Sequence, residues 1–290
     1  MDVDIFEQAR PRLIGIAYGM LGSMMDAEDV VQETYLRWMG VDTTSVDSPT
    51  AFLTTTASRI AIDKLRSAQA RRESYLGPWL PEPLLTSLEP DPADIVSAAE
   101  SLSISMLIAL ERLQPVERAV LLLREVFDYD YVEIADIVDK SPANCRQIAR
   151  RARERAGDLT RSRPNTDTEI KIIAQYIDAV SNGDVDRLAE IFAEDIVLTP
   201  DGGGLVRAAR KTLFGAHRVA KHFVGIQHMA PDGMETKIVR ANGDISILAL
   251  LDGIPITILT FEIEDEKVTA LRGLANPEKL QRLDLSNLSR

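Results

Sequence analysis

Residues 110–156 read LERLQPVERAVLLLREVFDYDYVEIADIVDKSPANCRQIARRARERA, and the punctuation of this stretch decides the helical half of the fold. Gln114-Pro115 opens a helix, since proline is tolerated at the first helical position, where its missing N–H would have no partner anyway. Val116, Val120, Leu123 and Phe127 then recur at helical spacing. Asp128 to Asp130 interrupts that helix, and Val132, Ile134, Ala135, Ile137 and Val138 give a second, short apolar one. In the turn Asp139-Lys140-Ser141-Pro142, Ser141 is a good N-cap and Pro142 a good first residue for a third helix. A short helix, a tight turn and a basic helix match the module that lays its last helix in a DNA major groove.

Charge points the same way. From Lys140 to Arg163, eight cations (Lys140, Arg146, Arg150, Arg151, Arg153, Arg155, Arg161, Arg163) stand against Glu154 and Asp158, a local balance of +6 in a chain whose total is −12. Phosphate is the natural counter-charge for such a concentration. At about 100° per residue, Arg146, Arg150 and Arg153 share one stripe flanked by Gln147, Arg151 and Arg155. Cys145, Ile148, Ala149, Ala152 and Ala156 gather on the opposite side, so one face can pack while the other reads DNA. An arginine-rich helix of any bundle would carry similar charge; the short helix and capped turn before it are what single out a DNA reader.

The 290 residues suffice for two or three domains, and 45% apolar with 27% charged content is ordinary for a globular protein. No apolar run approaches the roughly 20 residues that cross a bilayer, so no membrane partner is expected. Met1-Asp2-Val3-Asp4 is acidic where a secretory signal would be basic. A single cysteine excludes an internal disulfide and a cysteine-cluster metal site; a reducing cytoplasm is the expected location.

Residues 1–75 read as helical, with Asp26-Ala27-Glu28-Asp29 placing acid in a first turn, where it suits the helix dipole. A further helix from Ala51 to Arg72 ends with Arg59, Lys64, Arg66, Arg71 and Arg72 against Asp63 and Glu73. Residues 76–94 are a proline-rich linker: Pro78, Pro81, Pro83, Pro90 and Pro92 forbid a helix and keep the chain extended. Trp79, Leu80, Leu84, Leu85 and Leu88 make it too apolar for a free tether, so it should lie in a groove. Residues 95–163 hold the helix-turn-helix. In residues 164–290 two helices, Glu169 to Val180 and Val185 to Phe192, precede a strand at Ile196 to Thr199. Asn242-Gly243 and Asp252-Gly253 are hairpin signals, so Met234–Arg240, Ile245–Leu251, Ile254–Ile263 and Lys267–Leu274 should form an antiparallel meander, giving an α+β domain.

Three signatures in order resemble a known family. Asp26-Ala27-Glu28-Asp29-Val30-Val31-Gln32-Glu33 resembles the second conserved region of bacterial extracytoplasmic-function sigma factors, and Arg59-Ile60-Ala61-Ile62-Asp63-Lys64-Leu65-Arg66 resembles its promoter-melting helix. Val132-Glu133-Ile134-Ala135, Ser141, Arg146-Gln147 and Arg150-Arg151-Ala152-Arg153 resemble region four. Trp79-Leu80-Pro81-Glu82-Pro83, Asp201-Gly202-Gly203-Gly204 and Asn276-Pro277-Glu278-Lys279-Leu280 are similar to hallmarks of the subgroup with a fused SnoaL-like C-terminal domain. One departure is Asp139, where the turn before the reading helix often carries glycine.

The resemblance implies a multidomain chain: two all-α DNA-binding domains, then a cone-shaped α+β SnoaL-like domain with a curved antiparallel sheet. It implies core RNA polymerase and promoter DNA as partners, with no cofactor. Asp26, Glu28, Asp29, Gln32 and Glu33 would dock on a basic coiled coil of the polymerase. Arg59, Lys64, Arg66 and Arg72 would hold phosphates of the start-proximal element, and the loop Asp42 to Pro49 would receive a base rotated out of the stack. Asn144, Arg146, Gln147, Arg150, Arg151 and Arg153 would meet the upstream element, arginine reading guanine and glutamine adenine.

The C-terminal domain invites an enzyme reading, because cones of this kind hold pockets. His217, His222 and His228 are the only histidines, but His217 and His222 are five apart rather than the four of a helical metal pair. Asp201-Gly202-Gly203-Gly204 lacks the lysine and hydroxyl of a phosphate loop and suits a close approach to the linker. No catalytic residue and no metal is expected, though a small ligand of this domain stays open. The expected role of the Trp79–Pro83, Asp201–Gly204 and Asn276–Leu280 segments is to pack together and regulate the DNA-reading domains in cis. A one-component helix-turn-helix regulator with a ligand-sensing C-terminal domain is the alternative, and an enzyme with a DNA-binding appendage a further one.

Overall fold

Three helices build the N-terminal segment of the computed structural model: α1 (Asp2–Leu21), α2 (Met24–Met39) and α3 (Pro49–Glu73). The residues described are 2–42, 46–86, 99, 102–157, 164–206 and 211–285. Ser23, in extended backbone, caps α2 by accepting from Asp26 N at 3.3 Å. Ser48 Oγ accepts from Ala51 N at the start of α3. Leu13, Ala17, Leu21, Ala27, Val30, Trp38, Leu53, Ala57 and Leu65 are buried between the three helices.

The second helical segment comprises α4 (Ile104–Leu110), α5 (Pro115–Glu125), α6 (Tyr131–Val138) and α7 (Pro142–Ala156). Their starts are capped: Ser103 accepts from Met106 N, Gln114 N donates to Glu117 Oε2, Asp130 accepts from Val132 N and Glu133 N, and Ser141, the N-cap read from the sequence, accepts from Asn144 N. Asp139 closes α6 in the left-handed region (φ 54°), the conformation for which glycine is usual. Aspartate is among the residues that tolerate it best.

By contact the chain forms two units, Met1–Ser74 with Asp91–Leu159 and Tyr75–Pro90 with Thr160–Arg290. The first unit holds both helical segments. Gly19 explains the close approach: a Cβ there would meet the Leu122 side chain at 2.7 Å. Beside it the buried Arg118 donates to Gly19 O at 3.0 Å.

The second unit is α+β. Helices α8 (Thr166–Ser181), α9 (Val185–Ile191) and α10 (Ala216–Gln227) pack on one curved sheet, and a short α11 (Pro277–Leu280) ends it. Among the described residues six strands come from this region: β2 (Phe192–Asp201), β3 (Leu213–Phe214), β4 (Met234–Ala241), β5 (Asp244–Leu251), β6 (Ile254–Glu264) and β7 (Lys267–Leu274). Strands β4 to β7 are the expected antiparallel meander, while β2 runs parallel to β7. Extra residues in β2 (193–196), β6 (Ile256) and β7 (Thr269) interrupt the pairing, and such bulges supply local bends. Its core joins Ile173 and Tyr176 of α8, Leu188 of α9 and Val219 of α10 to Ile245, Leu259, Phe261 and Leu271 of the sheet.

The linker does more than rest in a groove. Its residues Leu85–Thr86 form β1, a seventh strand at the sheet edge, antiparallel to β4 with Leu85 opposite Ala241 and Thr86 opposite Arg240. Leu84 N donates to Asn242 Oδ1 (2.9 Å) and Asn242 N to Leu84 O (2.8 Å), so the hairpin residue Asn242 also anchors the linker. Linker residues 87–94 lie outside the described residues.

Candidate nucleic-acid interface

Helix α7 buries Cys145, Ala149, Ala152 and Ala156 and turns Asn144, Arg146, Gln147, Arg150 and Arg151 to solvent. Small residues on the packing side let α7 lie close to α5 and α6, which fixes the height of the exposed stripe. The arginines differ in freedom. Arg153 donates to Glu125 Oε1 (3.1 and 2.5 Å), and Arg155 Nη1 reaches both oxygens of Glu117 (2.7 and 2.8 Å). Both carboxylates belong to α5, so these two side chains tie the reading helix to its support. The Glu125 contact holds the Arg153 guanidinium above its ordinary pKa. Arg150 stays largely exposed, with Glu154 4.0 Å away. Arg161 and Arg163 lie outside the described residues.

The basic residues of α3 separate by environment. Arg66 is exposed and pairs with Asp63 (2.7 Å); Lys64 pairs with Asp29 of α2 at 3.1 Å. Arg59 donates to the last-turn carbonyls of α6, Nε to Ile137 O (3.0 Å) and Nη2 to Asp136 O (2.7 Å), where a cation complements the helix dipole. Arg72 sits apart from the others. It is mostly buried, bonded to Glu111 and to Leu21 O, and shares Glu111 with Arg118. Burial lowers its pKa, with Glu111 opposing that shift. Of the loop Asp42 to Pro49, residues 43–45 lie outside the described residues.

On α2, Glu28, Asp29 and Gln32 are exposed, and Asp26 and Glu33 are half-buried. Glu33 pairs with Arg37 at 2.6 Å, and Glu28 lies 3.6 Å from Arg10. The acid is not alone there. Met25, Leu36 and Met39 are exposed and fall at helical spacing with Asp29 and Gln32, so the outer stripe is part apolar. Reading the acids alone missed this, although the period was there in the sequence.

In the second unit the three motif segments converge on one buried carboxylate. Asp201 accepts from Tyr75 Oη (2.5 Å), Leu80 N (2.9 Å), Gly203 N (3.0 Å) and Lys279 Nζ (2.7 Å). Lys279 Nζ also donates to Leu80 O at 2.5 Å and lies 4.4 Å from the Trp79 ring centroid. Asn276 Nδ2 donates to Tyr75 Oη at 2.9 Å and caps α11 through Glu278 N. Arg282 pairs with the buried Glu82 at 2.8 Å. Pro81, Pro83 and Leu280 are buried beside them; Gly202 is half-buried, while Pro277 and Glu278 face solvent. Gly203 (φ +64°) and Gly204 (φ +73°) have Asn276 and Leu76 where a Cβ would stand, at 2.6 and 2.9 Å. Tyr75 and Arg282 belong to this cluster and lie outside the motifs; no local pattern marks them.

His222, half-buried on α10, packs edge-on against Phe223, and burial lowers its pKa. His217 and His228 are exposed. Among the described residues no group of three or more histidine, cysteine or carboxylate side chains is arranged to hold a metal.

Residues 5–71 match the family model described as Sigma-70 region 2, and residues 105–155 match Sigma-70, region 4. The chain is 35% identical over 295 residues to the ECF RNA polymerase sigma factor SigJ of Mycobacterium tuberculosis, covering 96% of this chain and 93% of that protein. It is 30% identical over 278 residues to the probable ECF RNA polymerase sigma factor SigI of the same organism, covering 94% and 93%. The crystal structure of the Mycobacterium tuberculosis extracytoplasmic function sigma factor SigJ superposes with a TM-score of 0.78 at 30% identity, covering 98% of this chain and all of that one.

Proposed function

The chain belongs to the extracytoplasmic-function RNA polymerase sigma factors, and we propose that its C-terminal SnoaL-like domain controls initiation in cis by holding the linker between the two DNA-reading segments. As an alternative sigma factor it binds core RNA polymerase and directs it to promoter DNA. The acidic and apolar outer stripe of α2 is the polymerase face. Arg146, Gln147, Arg150 and Arg151, with Asn144, read the upstream element, while Arg66 with Lys64 and Arg59 meet phosphates nearer the start. Arg59 must leave the α6 carbonyls to do so. Arg72 shapes the helical body rather than touching DNA, since its guanidinium is mostly buried against Glu111 and Leu21 O; Arg153 is half exposed and, like Lys64 and Arg66, must leave its carboxylate to reach a phosphate.

The observation that carries the regulatory part is the burial of Asp201 against Tyr75 and Leu80 on one side and Lys279 on the other. Linker and tail compete for nothing there; they complete one another. While docked, the dozen residues from Tyr75 to Thr86 are committed to the C-terminal unit. Released, they could extend to about 40 Å and lengthen the tether between α3 and α4. Promoter spacing then becomes adjustable through the state of the C-terminal domain. The domain acts here as a regulator and not as an enzyme.

Removing the last fifteen residues deletes Asn276, Lys279 and Arg282 together. Transcription from a cognate promoter, reconstituted with core polymerase, should change in level or in preferred element spacing. Identical output from full-length and shortened protein would refute control in cis. Failure of the full-length protein to bind core polymerase would refute the docking role assigned to α2.

A further inference from the structure

Tyr131, the first residue of α6, stands between two helices of the DNA-reading module. Its ring centroid is 5.3 Å from Arg124 Cζ of α5 and 5.3 Å from Arg146 Cζ of α7. The ring is well anchored. Asp130 immediately before it caps α6 through two amides, and Arg124 is itself pinned by donating to Tyr129 O at 3.0 Å. Arg146 differs from the arginines farther along α7. Arg153 and Arg155 hold carboxylates of α5, whereas among the described residues Arg146 forms no ion pair. Its one directional contact among them is with the aromatic face.

From this geometry we infer that Tyr131 is a positioning residue for promoter recognition, holding the Arg146 guanidinium over its ring in the orientation that reads the upstream element. The inference rests on α7 being the reading helix. A long arginine side chain has many rotamers, and a base edge needs one of them, because bidentate recognition tolerates little misalignment. A carboxylate could fix the rotamer but would neutralise the charge that DNA requires. An aromatic face fixes it and leaves every N–H free for a base or phosphate. Arg124 adds direction: two like charges on one ring repel, which favours Arg146 leaning away from α5. The first turns of a reading helix are also where base edges are met.

The test uses the full-length protein in holoenzyme, with initiation measured across templates randomised in the upstream element. Arg146→Ala identifies the base positions that Arg146 reads. Tyr131→Leu should flatten preference at those same positions about two- to fivefold, the effect of losing an exposed cation–π contact, and leave the others unchanged. Tyr131→Phe keeps the aromatic face and removes only the hydroxyl, which interacts with Arg153, so preference at the Arg146 positions should stay as in wild type. Should the leucine variant fold poorly, phenylalanines bearing one, two and three fluorines at position 131 keep the shape while draining the ring's negative face, and preference should fall stepwise. A loss spread evenly over all positions, or no response to fluorination, overturns the positioning role. If Arg146→Ala shifts no base preference, the assignment of Arg146 as a reader fails instead, and the inference falls with it.

Discussion

Lys279 Nζ lies 2.7 Å from Asp201 Oδ2, with 8% of the lysine side chain and none of the aspartate side chain exposed. Two charges taken out of water repay their desolvation only if the remaining lone pairs and protons are satisfied. Here Tyr75, Leu80 and Gly203 occupy the carboxylate, and Leu80 O takes another ammonium proton. One anion thus joins segments that are distant in the chain, and each depends on the others for its hydrogen bonds.

Asp201→Asn should be the most damaging single change in the second unit, at about 3–5 kcal/mol, because it strands a buried ammonium. Lys279→Met leaves three donors on the carboxylate and should cost less. The double variant should be more stable than the two single losses added together predict, the signature of coupled partners. Thermal unfolding of all four proteins checks this, with protease cleavage between residues 75 and 86 reporting linker release. Additive losses would remove Asp201 as the hub.

Tyr75 makes the dock sensitive to alkali. Burial first, and then its hydrogen bond to Asp201, raise the phenol pKa above its ordinary value of 10. The folded state therefore favours the neutral phenol. Its contribution is complete below the unfolded value, about 10, and declines as pH rises beyond it. Wild type should lose stability relative to Tyr75→Phe between roughly pH 10 and 11, and the gap between their melting temperatures, followed against pH, measures this contribution alone. A gap that stays constant would show that the phenol does not titrate against the fold.

Gly203→Ala should open the same cluster from another side. The backbone there is left-handed, and a Cβ would stand 2.6 Å from Asn276. Strain of this kind costs on the order of 1–3 kcal/mol. Asn276 would have to give up Tyr75 Oη to make room. Enhanced hydrogen exchange at Leu80 N and Leu84 N is the expected readout, with the helical unit unchanged.

What could be read in advance follows the range of the interactions involved. Ser141 and Pro142 start α7 by local chemistry, and its arginine stripe is a period within one helix; both needed only neighbouring residues. Asn242-Gly243 and Asp252-Gly253 announced their hairpins because φ is positive at both residues of each pair, as such turns require. The β6–β7 hairpin has the same conformation at Asp265 and Glu266 without a glycine, so no comparable turn signal marks it. Strands β1 and β3 have two residues each, too few for alternation to register. Arg66 and Arg72 look alike on the basic end of α3. Only the fold brings Glu111, 39 positions away, onto Arg72 and leaves Arg66 in solvent.

That last distinction also governs the salt response of promoter binding. Each phosphate neutralised by a cation releases condensed counterions, so removing one contact lowers the slope of log K against log salt by about 0.9. Arg150 and Arg151 are exposed on the outer stripe of α7, and alanine at either should weaken binding and reduce that slope by about one contact. Arg155 holds Glu117 instead. Arg155→Gln should leave the slope unchanged while lowering the stability of the helix-turn-helix by up to about 1 kcal/mol, as for a largely exposed ion pair. Binding of holoenzyme to a fixed promoter between 50 and 200 mM salt, about the range over which such slopes are steep, separates the two classes. A reduced slope for Arg155→Gln would mean that its guanidinium leaves Glu117 for a phosphate when DNA arrives. The pairing across α5 and α7 would then be a feature of the free protein alone.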